Sequence, residues 1–148
     1  MFPGASFCEW LSGSYWRLDS PTEERSIELA IEGYAPDVRE LFRDRVWQLS
    51  GTIDAECLAA RRPVDGTVCL KRLREGQIRY RVRFHADDGS PYELSGHKQC
   101  SVLAPVDSVT LLVAKVLDEV GDEVGRATLR FDVRADWGRF VRNLRLRF

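Results

Sequence analysis

The sequence predicts an all-β domain, either a closed or nearly closed antiparallel β-barrel or a two-layer β-sandwich, with about eight strands and two short helices. Apolar and polar residues alternate with period two in several segments, and turn residues separate these segments. No helical stretch is long enough to join parallel strands as a crossover. The 148 residues contain no linker-like stretch, so residues 1–148 form one domain.

The clearest strand is Arg79–Ala86, in which arginines alternate with Tyr80, Val82 and Phe84. Such alternation is typical of an antiparallel strand with one wet and one buried face. The same pattern recurs in Ser26–Glu32, Thr128–Val133 and Leu144–Phe148. Less regular apolar segments predict further strands at Phe7–Leu18, Val46–Leu58, Val64–Leu73, Tyr92–Val102 and Val109–Asp118. Turn residues between them, such as Asp87–Ser90 and Gly121–Asp122, are suited to tight hairpins.

Two short helices are predicted, at Pro36–Arg43 and at Trp137–Asn143. The first has proline near its first turn, acids early and arginine late. In the second, Asp136 is a suitable N-cap and the apolar residues recur at helical spacing. We expect these helices to close the ends of the β core.

The tripeptide Leu-Ser-Gly occurs three times inside predicted strands, at 11–13, 49–51 and 94–96. Glycine within a strand often marks a bulge or a close approach of two backbones. These glycines are therefore candidate points at which the sheet bends to close.

Composition and charge exclude several classes of function. The formal net charge of −1 provides no global field for binding nucleic acid. The N-terminus lacks the basic and apolar regions of a secretory signal, and no stretch of 18 uncharged apolar residues predicts a membrane span, so we expect a cytoplasmic protein. The four cysteines form no CxxC pair, which predicts reduced thiols, no metal site and no cofactor.

A succession of strand and turn motifs carries a family resemblance. Arg79–Phe84 is an RYR-type strand, Asp88-Gly89 is a turn, Tyr92–Lys98 reads Y-x-L-x-G-x-K, and Asp107–Leu111 is a further strand. Together these motifs resemble a β-rich accessory domain that accompanies cholesterol-oxidase-like flavoproteins of the glucose–methanol–choline oxidoreductase family and associated hydrolases. Phe7–Gly13, Leu49–Thr52 and Gly125–Leu129 are similar to other parts of that domain.

The resemblance implies an accessory module that contacts a lipid-like substrate or a partner oxidoreductase or hydrolase. It does not imply redox chemistry, because no GxGxxG phosphate loop of a flavin-binding unit is present. The chain departs from the family pattern at His97, where an aromatic residue is usual, and at Ser108-Val109, which replace two threonines.

Aromatic residues are candidates for lining a ligand pocket, because a small closed β structure can hold one apolar ligand in its middle. Simple filling of the core is the alternative. His97 and Lys98 are further candidates: adjacent strand residues point to opposite faces, so one of the two can face the interior, where a shifted pKa would suit a general acid or base. The pocket candidates are Trp10, Trp16, Trp47, Tyr80, Phe84, Tyr92, His97 and Lys98.

Arg79, Arg81 and Arg83 project from one strand face, and Arg145 and Arg147 form a second row. If the two strands are neighbours, they form a basic panel suited to phosphate, carboxylate or an acidic partner. The alternative is a solvated face whose arginines pair with acids such as Asp54, Glu56, Glu93 or Asp132.

No catalytic motif is present, so catalytic residues are not assigned from sequence. The leading hypothesis is a non-catalytic binding or accessory module for a hydrophobic small molecule or lipid. One alternative is a cyclase or isomerase that acts by enclosing its substrate. The other is a structural interaction module that uses a sheet edge, for which the C-terminal strand is the candidate.

Overall fold

The chain forms one antiparallel sheet in the computed structural model, which describes residues 4–35, 39, 45–71, 77–99, 111–130 and 145–147. Every strand predicted from periodicity is present. The strands are β1 Gly4–Arg17, β2 Ser20–Ala35, β3 Val46–Ala55, β4 Ala59–Cys69, β5 Gln77–His85, β6 Pro91–Gln99, β7 Leu111–Leu117, β8 Glu123–Arg130 and β9 Arg145–Arg147.

The sheet closes on itself because β1 pairs with both β2 and β8. Strands β1 to β8 therefore form an eight-stranded up-and-down barrel in which each strand pairs with its neighbours in sequence, and the sandwich alternative is wrong. β9 lies beside the first residues of β1, where Gly4–Ser6 pair with Arg145–Arg147.

Cross-strand register defines the tilt of the barrel. A path along paired residues leaves β1 at Ser6 and returns to β1 at Trp16, an offset of ten residues. The path runs through Tyr34, Gln48, Thr67, Arg81, Ser95, Lys115 and Arg126. Such an offset requires strongly tilted strands, and a barrel of eight strands has an interior that side chains fill or that holds one small ligand.

The period-two pattern of the sequence becomes the inside and outside of the barrel. On β5, Tyr80, Val82 and Phe84 are buried, whereas the arginines between them are exposed. The other strands contribute Leu, Ile, Val and Ala in the same alternation, and these side chains form one continuous core. Burying apolar area contributes roughly 25 cal/mol per Å² to folding, so this core holds the barrel together.

The glycines of the repeated Leu-Ser-Gly tripeptide mark close backbone approaches. A Cβ atom on Gly13 would lie 1.9 Å from the carbonyl oxygen of Thr128 on β8, and one on Gly96 would lie 2.4 Å from that of Val113 on β7. The leucine of each tripeptide is buried and the serine faces outward. The expectation that these glycines allow the sheet to bend and close is thus consistent with their geometry.

The two ends of the barrel differ. Short turns join β1 to β2, β3 to β4, β5 to β6 and β7 to β8, and all of them lie at one end, which we call the short-turn end. Longer connections join the remaining neighbouring strands at the opposite end, which we call the long-connection end; they are the segments 36–45, 70–76 and 100–110.

The two predicted helices stay predictions. The one at Trp137–Asn143 lies outside the described residues, as does the one at Pro36–Arg43 apart from Arg39.

Tyr15 secures the short-turn end from inside. Its hydroxyl group donates a hydrogen bond to the carbonyl oxygen of Glu56 in the β3–β4 turn. Burial raises the pKa of the Tyr15 hydroxyl above its ordinary value, although Arg25 acts in the opposite direction.

Asp87 secures the same end from outside. Its carboxylate accepts hydrogen bonds from the backbone N–H of Ala60, at 3.0 Å, and from Nε of Arg62, at 2.8 Å. The bond from Ala60, and secondarily that from Arg62, lowers the pKa of Asp87. The β5–β6 turn is therefore attached to the start of β4.

Candidate functional site

An ionic cluster lies inside the barrel and consists of Glu9, Tyr80 and Lys98. The Lys98 Nζ atom is 2.6 Å from Glu9 Oε1, and the Tyr80 hydroxyl group donates to the same oxygen at 3.0 Å. Lys98 Nζ also lies 4.9 Å from the centre of the Tyr80 ring, which places the ammonium group against the ring's face. Two donors thus converge on one carboxylate oxygen.

Strand parity explains why these side chains point inward. Glu9 shares its face of β1 with the buried Leu11 and Tyr15, and Lys98 shares its face of β6 with the buried Leu94. The three residues come from β1, β5 and β6, and β1 and β5 are four positions apart in the ring of eight strands. The cluster therefore connects opposite walls across the interior.

The cluster is costly in free energy. In the described part of the chain, Glu9 and Lys98 are the charged residues that are buried, with 7% and 0% of their surface exposed. Removing each ion from water costs several kcal/mol, which only a close partner and further hydrogen bonds offset. That condition is met, because every buried side-chain nitrogen and oxygen among the described residues has a hydrogen-bond partner.

The cluster belongs to the half of the barrel nearer the long-connection end. Lys98 is the last residue but one of β6, and Tyr80 is the fourth residue of β5. Beside Tyr80, the same cross-strand row continues with Gly96, Ala114 and Ala127 on three successive strands. These residues contribute little side-chain volume to the interior, so the wall next to the cluster is lined by small groups.

The arrangement suits two kinds of chemistry. An ammonium group and a phenol hydroxyl are hydrogen-bond donors for an oxygen atom, and within apolar walls a few such groups fix the orientation of a ligand. The Tyr80 hydroxyl and the Lys98 ammonium each lie within hydrogen-bond distance of the Glu9 carboxylate, which is the geometry that proton transfer requires.

The other predicted pocket residues occupy three places. Trp47 is buried on the inner face near the long-connection end, and it lies in the same cross-strand row as Tyr80. Phe84 and the half-buried Tyr92 stack at the short-turn end with ring centres 5.8 Å apart. Trp10, with 62% of its surface exposed, Trp16 and His97 are on the outer side of their strands.

The outer surface of the barrel has two sides of opposite charge. Exposed acids, among them Glu28, Glu32 and Asp54, project from β2 and β3. Exposed cations project from β5, β7 and β8, on the other side of the ring: Arg79, Arg81, Arg83, Lys115, Arg126 and Arg130. We call these the acidic side and the basic side.

The predicted arginine row on β5 is thus exposed, and part of it is paired with acids. Arg81 lies 3.1 Å from Glu93, a partner that the sequence suggested, and Arg83 lies 3.4 Å from Asp65. β9, which carries Arg145 and Arg147, is beside β1 rather than β5. The two arginine rows therefore do not form one panel across neighbouring strands.

Other kinds of site are not found among the described residues. No group of three or more histidine, cysteine or acidic residues there could hold a metal ion, and Cys8, Cys57 and Cys69 are free thiols. In the same residues, no helix is long and apolar enough to cross a membrane.

Sequence reasoning identified Lys98 and Tyr80 but missed Glu9. A signal existed, because Glu9 alternates in phase with Leu11 and Tyr15 and so belongs to the apolar face of β1. A carboxylate on that face needs a buried partner.

Comparison of the chain with protein-family models, with curated proteins and with solved structures finds no match.

Proposed function

We propose that the barrel binds one small, mainly apolar molecule carrying an oxygen-containing polar group, and that Lys98, Glu9 and Tyr80 recognise this group. The observation that supports the proposal is the buried ion pair among the apolar side chains of the barrel interior. Stability alone does not account for such a pair, because well-packed hydrophobic residues in its place are often equally or more stabilising.

The position of the cluster is a second support. Binding sites in small barrels are found in their mouths, and they combine apolar walls with a few convergent polar groups. Here the cluster lies towards the end with the longer connections, next to the small residues Gly96, Ala114 and Ala127. Fatty acids, sterols and polyketide-like compounds have the required chemistry, since each joins an apolar body to few oxygen atoms.

The test is native mass spectrometry of the full chain after purification, followed by titration with these three classes of compound. Lys98→Met should lose the bound species and the thermal shift, whereas Lys115→Met, the same change on the outer face of β7, should retain both. Glu9→Gln/Lys98→Gln, which removes both charges together, serves if Lys98→Met does not fold. Absence of any complex, or equal binding by the three variants, would contradict the proposal.

A second candidate is an enzyme of cyclase or isomerase type that acts on the enclosed molecule. The specific observation in its favour is the Glu9 oxygen that the Tyr80 hydroxyl and the Lys98 ammonium share, since it links two proton donors to one base. Tyr80→Phe distinguishes the candidates. An enzyme should lose turnover of a bound compound with affinity nearly unchanged, whereas a binding module should show no turnover in either form.

The family resemblance adds a partner to the proposal, namely an oxidoreductase or hydrolase that the binding module serves. Adding the loaded barrel to such an enzyme should raise its rate on the apolar substrate, and the empty barrel should not. If the loaded barrel leaves the rate of that enzyme unchanged, the protein is a binding module that does not serve an oxidoreductase or hydrolase of this kind.

A further inference from the structure

A groove of about 540 Å³ crosses the basic side of the barrel, on the opposite surface of the sheet from the Glu9–Lys98 pair. It runs over β4 to β8, and its cations are Arg79, Arg81, Lys115 and Arg126. Among the described residues, no acidic side chain lines it. Its size is that of a small-molecule site.

Register places the groove's donors around one point. Ser95 on β6 pairs with Arg81 on β5 and with Lys115 on β7, and Arg126 on β8 is next in the same row. Because neighbouring strands are about 4.8 Å apart, Arg81 and Lys115 stand roughly 10 Å apart with the short Ser95 side chain between them. Two long cationic side chains therefore form walls on either side of a hydroxyl group.

The next row extends the groove along the strands. His97 on β6 pairs with Arg79 on β5 and with Val113 on β7, two residues from the first row and thus about 7 Å away. His97 is half-buried, whereas Val113 has 45% of its surface exposed. This row offers an imidazole ring and an apolar surface beside the first row's charges.

The positive charge of the groove is only partly compensated. Arg81 is paired with Glu93, and Arg126 with Glu123 at 2.7 Å. Among the residues that the structure describes, Arg79 and Lys115 have no carboxylate within ion-pair distance. The groove therefore attracts an anion, and its donors match a tetrahedral oxyanion that bridges two cations.

We propose that this groove binds an organic phosphate. The phosphate group lies over Ser95 between Arg81 and Lys115, and the organic part lies along His97 and Val113. A phosphate has enough oxygen atoms to accept from the guanidinium, the ammonium and the hydroxyl group together. The site is separate from the barrel interior, so it does not depend on the function proposed above.

The test is a titration of the full chain with inorganic phosphate, pyrophosphate and phenyl phosphate, followed by ¹H–¹⁵N NMR. Backbone signals of Ser95, Gly96 and Lys115 should shift together, and phenyl phosphate should bind more tightly than inorganic phosphate. Binding should weaken as salt is added, because the site is exposed. Absence of shifts up to about 1 mM of the organic phosphates would overturn the proposal, because three donors converging on one phosphate should give a dissociation constant below about 1 mM.

Amino-acid substitutions distinguish a specific phosphate site from nonspecific electrostatic attraction of anions to the basic side. Arg81→Gln and Lys115→Gln should each weaken binding about fivefold to tenfold, because each variant loses one hydrogen bond to the phosphate. Arg83→Gln is the matched control, because Arg83 lies on the same face of β5 but does not line the groove. Equal weakening by all three variants would show only nonspecific attraction. Glu9→Gln/Lys98→Gln should bind phosphate as the wild type does, which keeps this result independent of the interior.

Discussion

Lys98→Met is the substitution that tests most directly whether the buried pair exists as described. Methionine retains an apolar side chain of similar length but removes the ammonium group, so Glu9 keeps the hydrogen bond from Tyr80 and loses its cation. Leaving one partner of a buried ion pair uncompensated costs about 3–5 kcal/mol. A domain of this size has a stability of about 5–15 kcal/mol, so the variant should remain folded but weakened.

Urea unfolding, followed by tryptophan fluorescence and far-ultraviolet circular dichroism, measures this loss. With a urea dependence of about 2 kcal/mol per M, the midpoint of Lys98→Met should fall by roughly 1.5–2.5 M. Lys115→Met, on the outer face of the adjacent strand, should change the midpoint by no more than about 0.3 M, as surface substitutions do.

The double variant Glu9→Gln/Lys98→Gln forms a double-mutant cycle with the single variants Glu9→Gln and Lys98→Gln. Its two amides can bond to each other, and the amide oxygen that replaces the Glu9 carboxylate can still accept from Tyr80, so we expect a loss of only about 1–2 kcal/mol. A double variant as unstable as the sum of the two single variants would refute the reasoning. So would a Lys98→Met midpoint equal to that of Lys115→Met, because the ammonium group would then be in contact with water.

Three further outcomes are expected. Gly66→Ala should destabilise the barrel by about 1–3 kcal/mol or more in urea unfolding, because its Cβ would lie 1.9 Å from a carbonyl oxygen of β5. Gly89→Asn, at a turn position with a φ of 88° and open space, should destabilise it less, because asparagine tolerates positive φ better than other non-glycine residues. For Tyr15, whose pKa is raised by burial, folding stability should fall as the pH rises above 10.0, its unperturbed value, and Tyr15→Phe should remove that part of the decline. For Asp87, the hydrogen bond from the Ala60 N–H group lowers the pKa in the folded protein. This interaction should stabilise the fold at pH values above the pKa of Asp87 in the unfolded chain, and the stabilisation should be lost as the pH falls through its pKa in the folded protein. If Asp87→Asn shows the same fall in melting temperature at acid pH as the wild type, this reasoning is contradicted.

The strands could be predicted because their signal is local. The alternation of arginine with Tyr80, Val82 and Phe84 identifies both the strand and its inner face without any tertiary information. Closure could not be predicted in this way, because a barrel and a sandwich use the same alternation. What distinguishes them is the pairing of β1 with β8, which joins segments more than 100 residues apart.

The candidate site was predictable in part for the same reason. Parity shows that only one of His97 and Lys98 faces inward, and the buried Leu94 on the same strand indicates that it is Lys98. Its carboxylate partner, however, is 89 residues away in sequence. The ten-residue offset of the barrel and the side-chain reach across it bring Glu9 to Lys98, and neither is encoded by a local motif.

The separation of acidic and basic sides gives the molecule an electric dipole that its formal charge of −1 conceals. The dipole runs across the barrel axis, since the two sides are different strands and not different ends. The protein should therefore adsorb to both anion- and cation-exchange media at low salt. In either orientation the barrel would lie on its flank, with its axis parallel to the surface of the medium.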